Sequence, residues 1–481
     1  MRTLNFLALD LGAESGRGIL GRFDGERLSL EELGRFATGR GDLDIAPDGV
    51  RRWDWARISM ETDALVQKAI AQSPDGLQGV GADSWGVDFG LLNAQGQLLE
   101  PPVQYRDANH PVAKAALHAR VPRAEIWAAT GIQHLPFNTL CQLKAIQERD
   151  PNVLDRAAHL LMVPDLLHYQ LTGGASVANE MTLASTTQFL SPTTKTWDVE
   201  LLTRCGLPSH FLGPLTEAGA LRGHTPEGVP VYAPATHDTA AAVAAVPADG
   251  RSKHWAFVSS GTWSLVGVER QEPILSLEAQ ELGLSNESGV GGTIRLLKNI
   301  MGLWMVQECR RSLRRAAGSR EYSYAELTAL AEAAPPNGSL VDAAAGRFLA
   351  PPDMVAEVQA ACRESNQTAP QTVGEIIRCC LESLALAYRD TLGHLEALTG
   401  DTLDTLYIVG GGAQNRLLNQ WTADACNRRV IAGPSEATAI GNLLSQLVGS
   451  GRVANWQEAR LVSCRSAQPE EFLPAPSKSR K

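Results

Sequence analysis

The chain has 481 residues, 44% apolar and 20% charged, and carries a net charge of −10 from 43 basic and 53 acidic side chains. That length exceeds one core and fits two large domains or three small ones at roughly 100–200 residues each. The acidic balance argues against a nucleic-acid binder, which needs a basic face, and leaves any anionic ligand to be gripped by local donors.

The start, Met1–Asp10, is apolar, but Asp10 interrupts it early and no small-residue cleavage site follows, so it reads as a first β-strand, not a signal peptide. Phe6–Leu9 leads into the small-residue turn Asp10–Arg17, then the apolar Ile19-Leu20 and a further stretch from Arg27. Asp54 is placed to cap a helix whose apolar positions are Ile58, Leu65, Val66 and Ile70. A strand then enters Gly81–Gly90, with Asp83 and Asp88 flanking Trp85-Gly86. Strands alternating with helices predict an α/β fold.

A second unit is expected near residue 250, after the Ala-rich Thr239–Val246, Pro247 and the turn signal Asp249-Gly250. Trp255–Val258, the turn Ser259–Trp263 and Ser264–Val266 repeat the pattern of residues 6–20, which suggests a duplicated domain with a ligand between the copies. The expected domains are 1–247 and 248–465, with a tail at 466–481. Later come a loop at Ala333–Asn337, a buried strand Leu406–Val409 before Gly410-Gly411-Gly412, a helix Asn415–Cys426, a strand Val430–Ala432 and a helix from about Glu436. The basic cluster Pro476–Lys481 reads as a solvated terminus. No run of about 18 apolar residues predicts a membrane span. Eight cysteines without a C-x-x-C pair predict reduced thiols in a cytoplasmic protein.

No P-loop, dinucleotide glycine fingerprint, protein-kinase motif set or metalloprotease helix is present. Any nucleotide must therefore sit in another cradle. Two candidates are the turns at Asp10–Arg17 and Ser259–Trp263, whose main-chain N–H groups can face phosphate, with Arg17 adding a charged donor. Three glycines at 410–412 would let a flat ring approach the backbone. Asp238, after a strand-like Val231–Ala233 and before an Ala-rich helix, is held ionised by a helix N-terminus and is placed to accept a hydroxyl proton. Trp85 between Asp83 and Asp88 suits a sugar, which offers C–H faces and hydroxyls. Each feature alone also has a plain reading: hairpin turns, a flexible loop, a helix cap at Asp238, a core tryptophan at Trp85.

Together, Asp10–Arg17, Asp83–Phe89, Tyr105-Arg106-Asp107, Gly131–Thr139, Ser260–Leu265, Leu297–Trp304 and Gly410–Gly412 resemble, in order and over nearly the whole chain, the rhamnulokinase branch of the FGGY sugar kinases. The resemblance implies two actin-like (ribonuclease H-like, ASKHA) domains with a central cleft for ATP and sugar, and Mg²⁺-assisted transfer of the γ-phosphoryl to the 1-hydroxyl of L-rhamnulose. It implies Asp238 as base, and Gly86, His237, Asp238, Thr239 and Asn299 at the sugar. It assigns Ala13, Glu14, Ser15, Gly16, Arg17, Thr262, Gln307 and Gly411 to ATP, and Asp10 to Mg²⁺ through water. Small-molecule substrates are the only partners implied, with no nucleic acid and no membrane. Where relatives often carry a small hydroxyl residue this chain has Glu14, whose side chain is expected to turn away from phosphate. A kinase for another ketose or polyol, or a non-catalytic nucleotide switch, are the competing readings.

Overall fold

The computed structural model describes residues 3–248, 250, 254–316, 320–336, 338–349 and 351–475. Met1-Arg2, Asp249 of the expected turn, Asn337 of the expected loop and the basic cluster Pro476–Lys481 lie outside the described residues. The chain divides into two compact units, each gathered from separated segments. Met1–Ala245, Glu269–Leu296 and Ala437–Ser466 form the first; Val246–Val268, Leu297–Glu436 and Ala467–Lys481 form the second.

The first unit is built on strands β1 (Leu4–Leu11), β2 (Ser15–Phe23), β3 (Leu28–Ala37), β4 (Leu77–Ser84), β5 (Ala220–His224) and β6 (Pro230–Ala233). Their order is β5-β6-β4-β1-β2-β3, with β4 parallel to both β1 and β6. Phe6–Leu11 are all buried, because helices cover both faces of this strand. The helix Trp55–Ala71 starts where Asp54 accepts from the Arg57 amide, and it buries Ile58, Leu65, Val66 and Ala69. On the other side the helix Ala437–Gly449 lies against β1, β4 and the short helix Asp238–Ala244. The approach is so close that a Cβ on Gly441 would stand 1.8 Å from the Ala241 carbonyl oxygen. That contact explains the Ala-rich run after Asp238, since larger side chains would force the helices apart.

The second unit holds β7 (Trp255–Ser260), β8 (Ser264–Arg270), β9 (Thr405–Val409), β10 (Arg429–Ala432) and β11 (Glu470–Phe472). The hairpin β7-β8 is extended by β9 and β10, both parallel, and closed by antiparallel β11. Hairpin plus parallel strand is also the arrangement of β1, β2 and β4, so the duplicated pattern read from the sequence is present in the backbone. The longest helix, Val373–Thr399, opens with a reciprocal Thr372–Glu375 cap, ends at left-handed Gly400 and packs on helices Tyr324–Ala333 and Arg416–Cys426. All eight cysteines are free thiols. Among the described residues no helix is long and apolar enough to cross a membrane.

Candidate active site

In the first unit, chain reversals at the ends of three parallel strands bring carboxylates together. Asp10 and Asp83 are the next-to-last residues of β1 and β4, in register with each other. Asp238 begins its helix five residues past the end of β6. Asp83 is fully buried; its Oδ2 accepts from Asn442 at 2.7 Å while Oδ1 has no partner. Burial, then the charges of Asp10 and Asp238, push its carboxyl well above the usual range.

Asp238 is the first residue of a helix of only seven, with His237 in the cap position. Its Oδ1 accepts from the Thr239 amide (2.5 Å) and hydroxyl (3.1 Å), and 35% of its side chain stays exposed. Burial raises its pKa and the Asp10 charge adds to this, while the Thr239 donors oppose it. The helix start expected to keep Asp238 ionised is only seven residues long, and burial together with the Asp10 charge works against it. The loop before it is fixed by Glu180, whose Oε2 accepts from the Thr236 amide (3.0 Å) and hydroxyl (2.7 Å). Burial pushes Glu180 up to about 7 against these bonds.

Gly86 touches the same corner. A Cβ there would stand 3.3 Å from His237 Nε2 and 3.6 Å from Thr186 Oγ1. The next residue, Val87, has φ +72°, which a β-branched side chain adopts only under constraint. The constraint is visible: its amide donates to Thr186 Oγ1 and its carbonyl accepts from Thr139 Oγ1 at 2.6 Å.

Asp88 and Trp85 do not form a sugar platform. Asp88 is fully buried, and its Oδ2 accepts from both the Trp53 and Trp85 indoles (2.7 and 2.9 Å) and the Tyr105 amide, while Oδ1 accepts from Gln142. Trp85 is 6% exposed and stacks on Trp53 with ring centroids 4.3 Å apart. Both oxygens are engaged by these buried donors, so this pair braces the turn that presents Gly86. Burial pushes Asp88 up to about 6, and the indole and amide donors hold it from going further.

The turn Ala13–Ser15 closes through Gly12 N–H to Ser15 C=O, with the Glu14 carbonyl accepting from Thr38. Glu14 is exposed and Gly16 is buried. Arg17 faces Asp10 across the hairpin and donates to its Oδ2 from Nε and Nη2 (3.0 and 2.7 Å).

In the second unit, the turn Gly261–Trp263 docks on the start of helix Trp304–Ala316: Leu303 and Trp304 donate to the Gly261 and Thr262 carbonyls. Gly302 (φ +59°) makes this possible, since a Cβ there would lie 2.5 Å from Trp263 backbone. Gly410 and Gly412 are needed for packing, as a Cβ on Gly412 would collide with Ser260 Oγ. Only Gly411 is open, and it lines a cavity of about 940 Å³ with Thr262, Gln307, Tyr324, Ile377 and Gln414. The three residues of this unit assigned to ATP from the sequence, Thr262, Gln307 and Gly411, thus line one cavity. Asn299 lies near the end of the strand Ile294–Ile300 and is half-buried.

The FGGY family of carbohydrate kinases matches both parts of the chain: its N-terminal domain over residues 5–241 and its C-terminal domain over residues 256–450. A rhamnulokinase of Bacteroides thetaiotaomicron is 40% identical over 98% of the chain and 96% of its own length. One from Enterococcus faecalis is 41% identical over 98% and 94%. The chain belongs to the FGGY family.

Solved FGGY relatives share its fold at low identity. A xylulose kinase from Rhodospirillum rubrum has a TM-score of 0.78 at 20% identity, covering 99% of this chain and 95% of that one. A Plasmodium falciparum glycerol kinase with ADP gives 0.78 at 15%, covering 98% and 94%. The fold is therefore the two-domain, actin-like α/β fold of FGGY kinases, and the chain is a sugar kinase that uses ATP and, as such kinases do, a divalent metal. Residues that sequence reasoning missed in this FGGY kinase are Glu287, Arg295, Glu180 and Asn442. Arg295 is completely buried; it bonds His237 Nδ1 at 3.2 Å and pairs with Glu287 at 3.0 Å. Burial lifts Glu287, but the Arg295 guanidinium beside it brings it below its ordinary value.

Proposed function

We propose that the chain transfers the γ-phosphoryl group of ATP to the 1-hydroxyl of L-rhamnulose, giving L-rhamnulose 1-phosphate and ADP, with Asp238 as base. The substrate rests on the relatives named rhamnulokinase, about 40% identical over nearly the full length. The base rests on one observation: Asp238 offers a part-exposed carboxylate next to the His237 ring that abuts Gly86, whereas Asp83 is fully buried and Asp10 is taken up by Arg17.

Gly86, His237, Thr239 and Asn299 orient the sugar. Main-chain amides of Ala13–Arg17 bind phosphate, with exposed Glu14 contributing only its backbone, while Arg17 serves mainly to hold Asp10. Thr262, Gln307 and Gly411 line the nucleotide cavity of the second unit. The acidic corner fits a hydrated divalent cation, which we take to be Mg²⁺: Asp83 keeps a buried oxygen without a partner, and three carboxylates repel one another. Among the described residues no group of three His, Cys, Asp or Glu side chains is placed to enclose an ion, so Asp10 would hold it through water. When bound, the metal offsets phosphate charge. Asp238 takes the hydroxyl proton late in a loose transfer, and a pKa raised toward the working pH suits that task. Free thiols throughout support a cytoplasmic setting.

An ADP-release assay across L-rhamnulose, L-fuculose, xylulose and glycerol tests the reading. The highest kcat/KM is expected for L-rhamnulose, since hydroxyl-matched bonds discriminate by up to about 10⁴–10⁵. A higher value for another sugar reassigns the substrate, and ATP turnover indifferent to every sugar sinks the proposal.

A further inference from the structure

His237 sits where two incompatible partners meet one ring nitrogen. Its Nδ1 is 3.2 Å from Arg295 Nη2 and 3.3 Å from Glu287 Oε2. A guanidinium has only donors and a carboxylate only acceptors, so one nitrogen cannot satisfy both. Geometry decides between them. The Arg295 approach is aligned as a hydrogen bond, whereas Glu287 Oε2 lies close to both His237 and Arg295 without an aligned bond to either. Glu287 therefore acts by charge, balancing a guanidinium with no exposure at all, whose Nε is spent on the Ser288 carbonyl.

We infer that Arg295, neutralised by Glu287, holds His237 as the neutral tautomer with its proton on Nε2. Arg295 and Glu287 are then positioning residues for phosphoryl transfer. With Nδ1 occupied as an acceptor, the ring's only N–H is on Nε2. That atom lies 3.5 Å from Asp238 Oδ1 and faces Gly86, where the absence of a side chain leaves room for a substrate oxygen. His237 can thus donate to a sugar hydroxyl oxygen and cannot compete with Asp238 for its proton. The division of labour rests on the proposed role of Asp238; the tautomer itself does not.

The test is a long-range ¹H–¹⁵N correlation spectrum of the full chain labelled with ¹⁵N-histidine, without ligands, the His237 signals assigned by their loss in His237→Gln. A neutral ring with its proton on Nε2 is expected near neutral pH. A proton on Nδ1, or an imidazolium, overturns the inference. Arg295→Lys provides the kinetic arm: sugar KM should rise at least tenfold and ATP KM stay within about twofold, because the variant keeps the charge but loses the planar fork. Equal changes in both constants mean a structural role only and overturn it too. If the Nε2–H signal is present while Asp238→Asn stays active, the base assignment fails and the tautomer stands. With the proton on Nδ1 and Asp238→Asn inactive, the reverse holds.

Discussion

Asp88 and Asp238 are both carboxylates that burial pushes toward the neutral form, two residues from the same glycine-and-histidine corner in one case and inside it in the other. They differ in what is left over. Asp88 spends its oxygens on two indoles, one amide N–H and one glutamine, and no part of it reaches solvent. Asp238 is bound only through Thr239 and keeps a third of its side chain open. A saturated acid can only brace; an acid with a spare lone pair facing open space can take a proton.

The sharpest way to break this contrast is Asp238→Asn, which keeps shape and removes basicity. The expected outcome is a fall in kcat of about 10²–10⁴-fold with an unchanged melting midpoint, read by steady-state kinetics and calorimetry. Near-normal turnover would remove Asp238 from the role. Asp88→Ala should do the opposite kind of damage. It leaves both indole N–H groups and the Tyr105 amide without an acceptor, at about 1–3 kcal/mol each. Even with partial compensation, a loss of about 3 kcal/mol should lower the melting midpoint by about 3–5 °C.

Glu180 extends the comparison to pH. It is raised from 4.5 to about 7 by burial, so between those values the folded chain keeps a proton that the unfolded chain has lost. Its contribution is therefore whole below pH 4.5 and fades as the pH rises through about 7, by on the order of 3 kcal/mol for an isolated group. Asp88, raised to about 6, slopes the same way. Melting midpoints of the wild type should fall across that window, and Glu180→Gln should flatten the slope; an equal slope in the variant would show that Glu180 is ionised in the fold.

Local order was plain in the sequence, because hairpins and parallel strands declare themselves by apolar runs and small-residue turns. Asp54 as a cap and the two matching hairpins came from that signal. What was not legible was whether an acid faces donors or space: Trp85 and Asp88 have the composition of a sugar site and the packing of a core. Nor do three successive glycines reveal that two of them are packed against Ser260 and only Gly411 has open space where a Cβ would stand. The joining of Ala437–Ser466 to the first unit depends on contacts hundreds of residues apart, such as Asn442 with Asp83. Glu287 and Arg295 did leave a trace. Leu284–Ser288 is a wholly buried strand made mostly of polar residues, and Arg295 interrupts an apolar run, so each needs a buried partner.

The smallest expected effect concerns the strain that Asp88 and its partners sustain. Val87 holds φ +72° because Thr186 and Thr139 fix its amide and carbonyl on either side. Replacement by alanine or by glycine removes both buried γ-methyl groups, and the two variants then differ by one Cβ and by how they tolerate a left-handed backbone. In an ordinary strand or helix, alanine is the more stable by roughly 0.5–1 kcal/mol. At residue 87 the order should reverse, with Val87→Gly above Val87→Ala by about 1 kcal/mol, or about 1–2 °C in melting midpoint. Should alanine prove the more stable, the turn is relaxed, and the saturated acid beneath it would not be needed to hold Gly86 against His237.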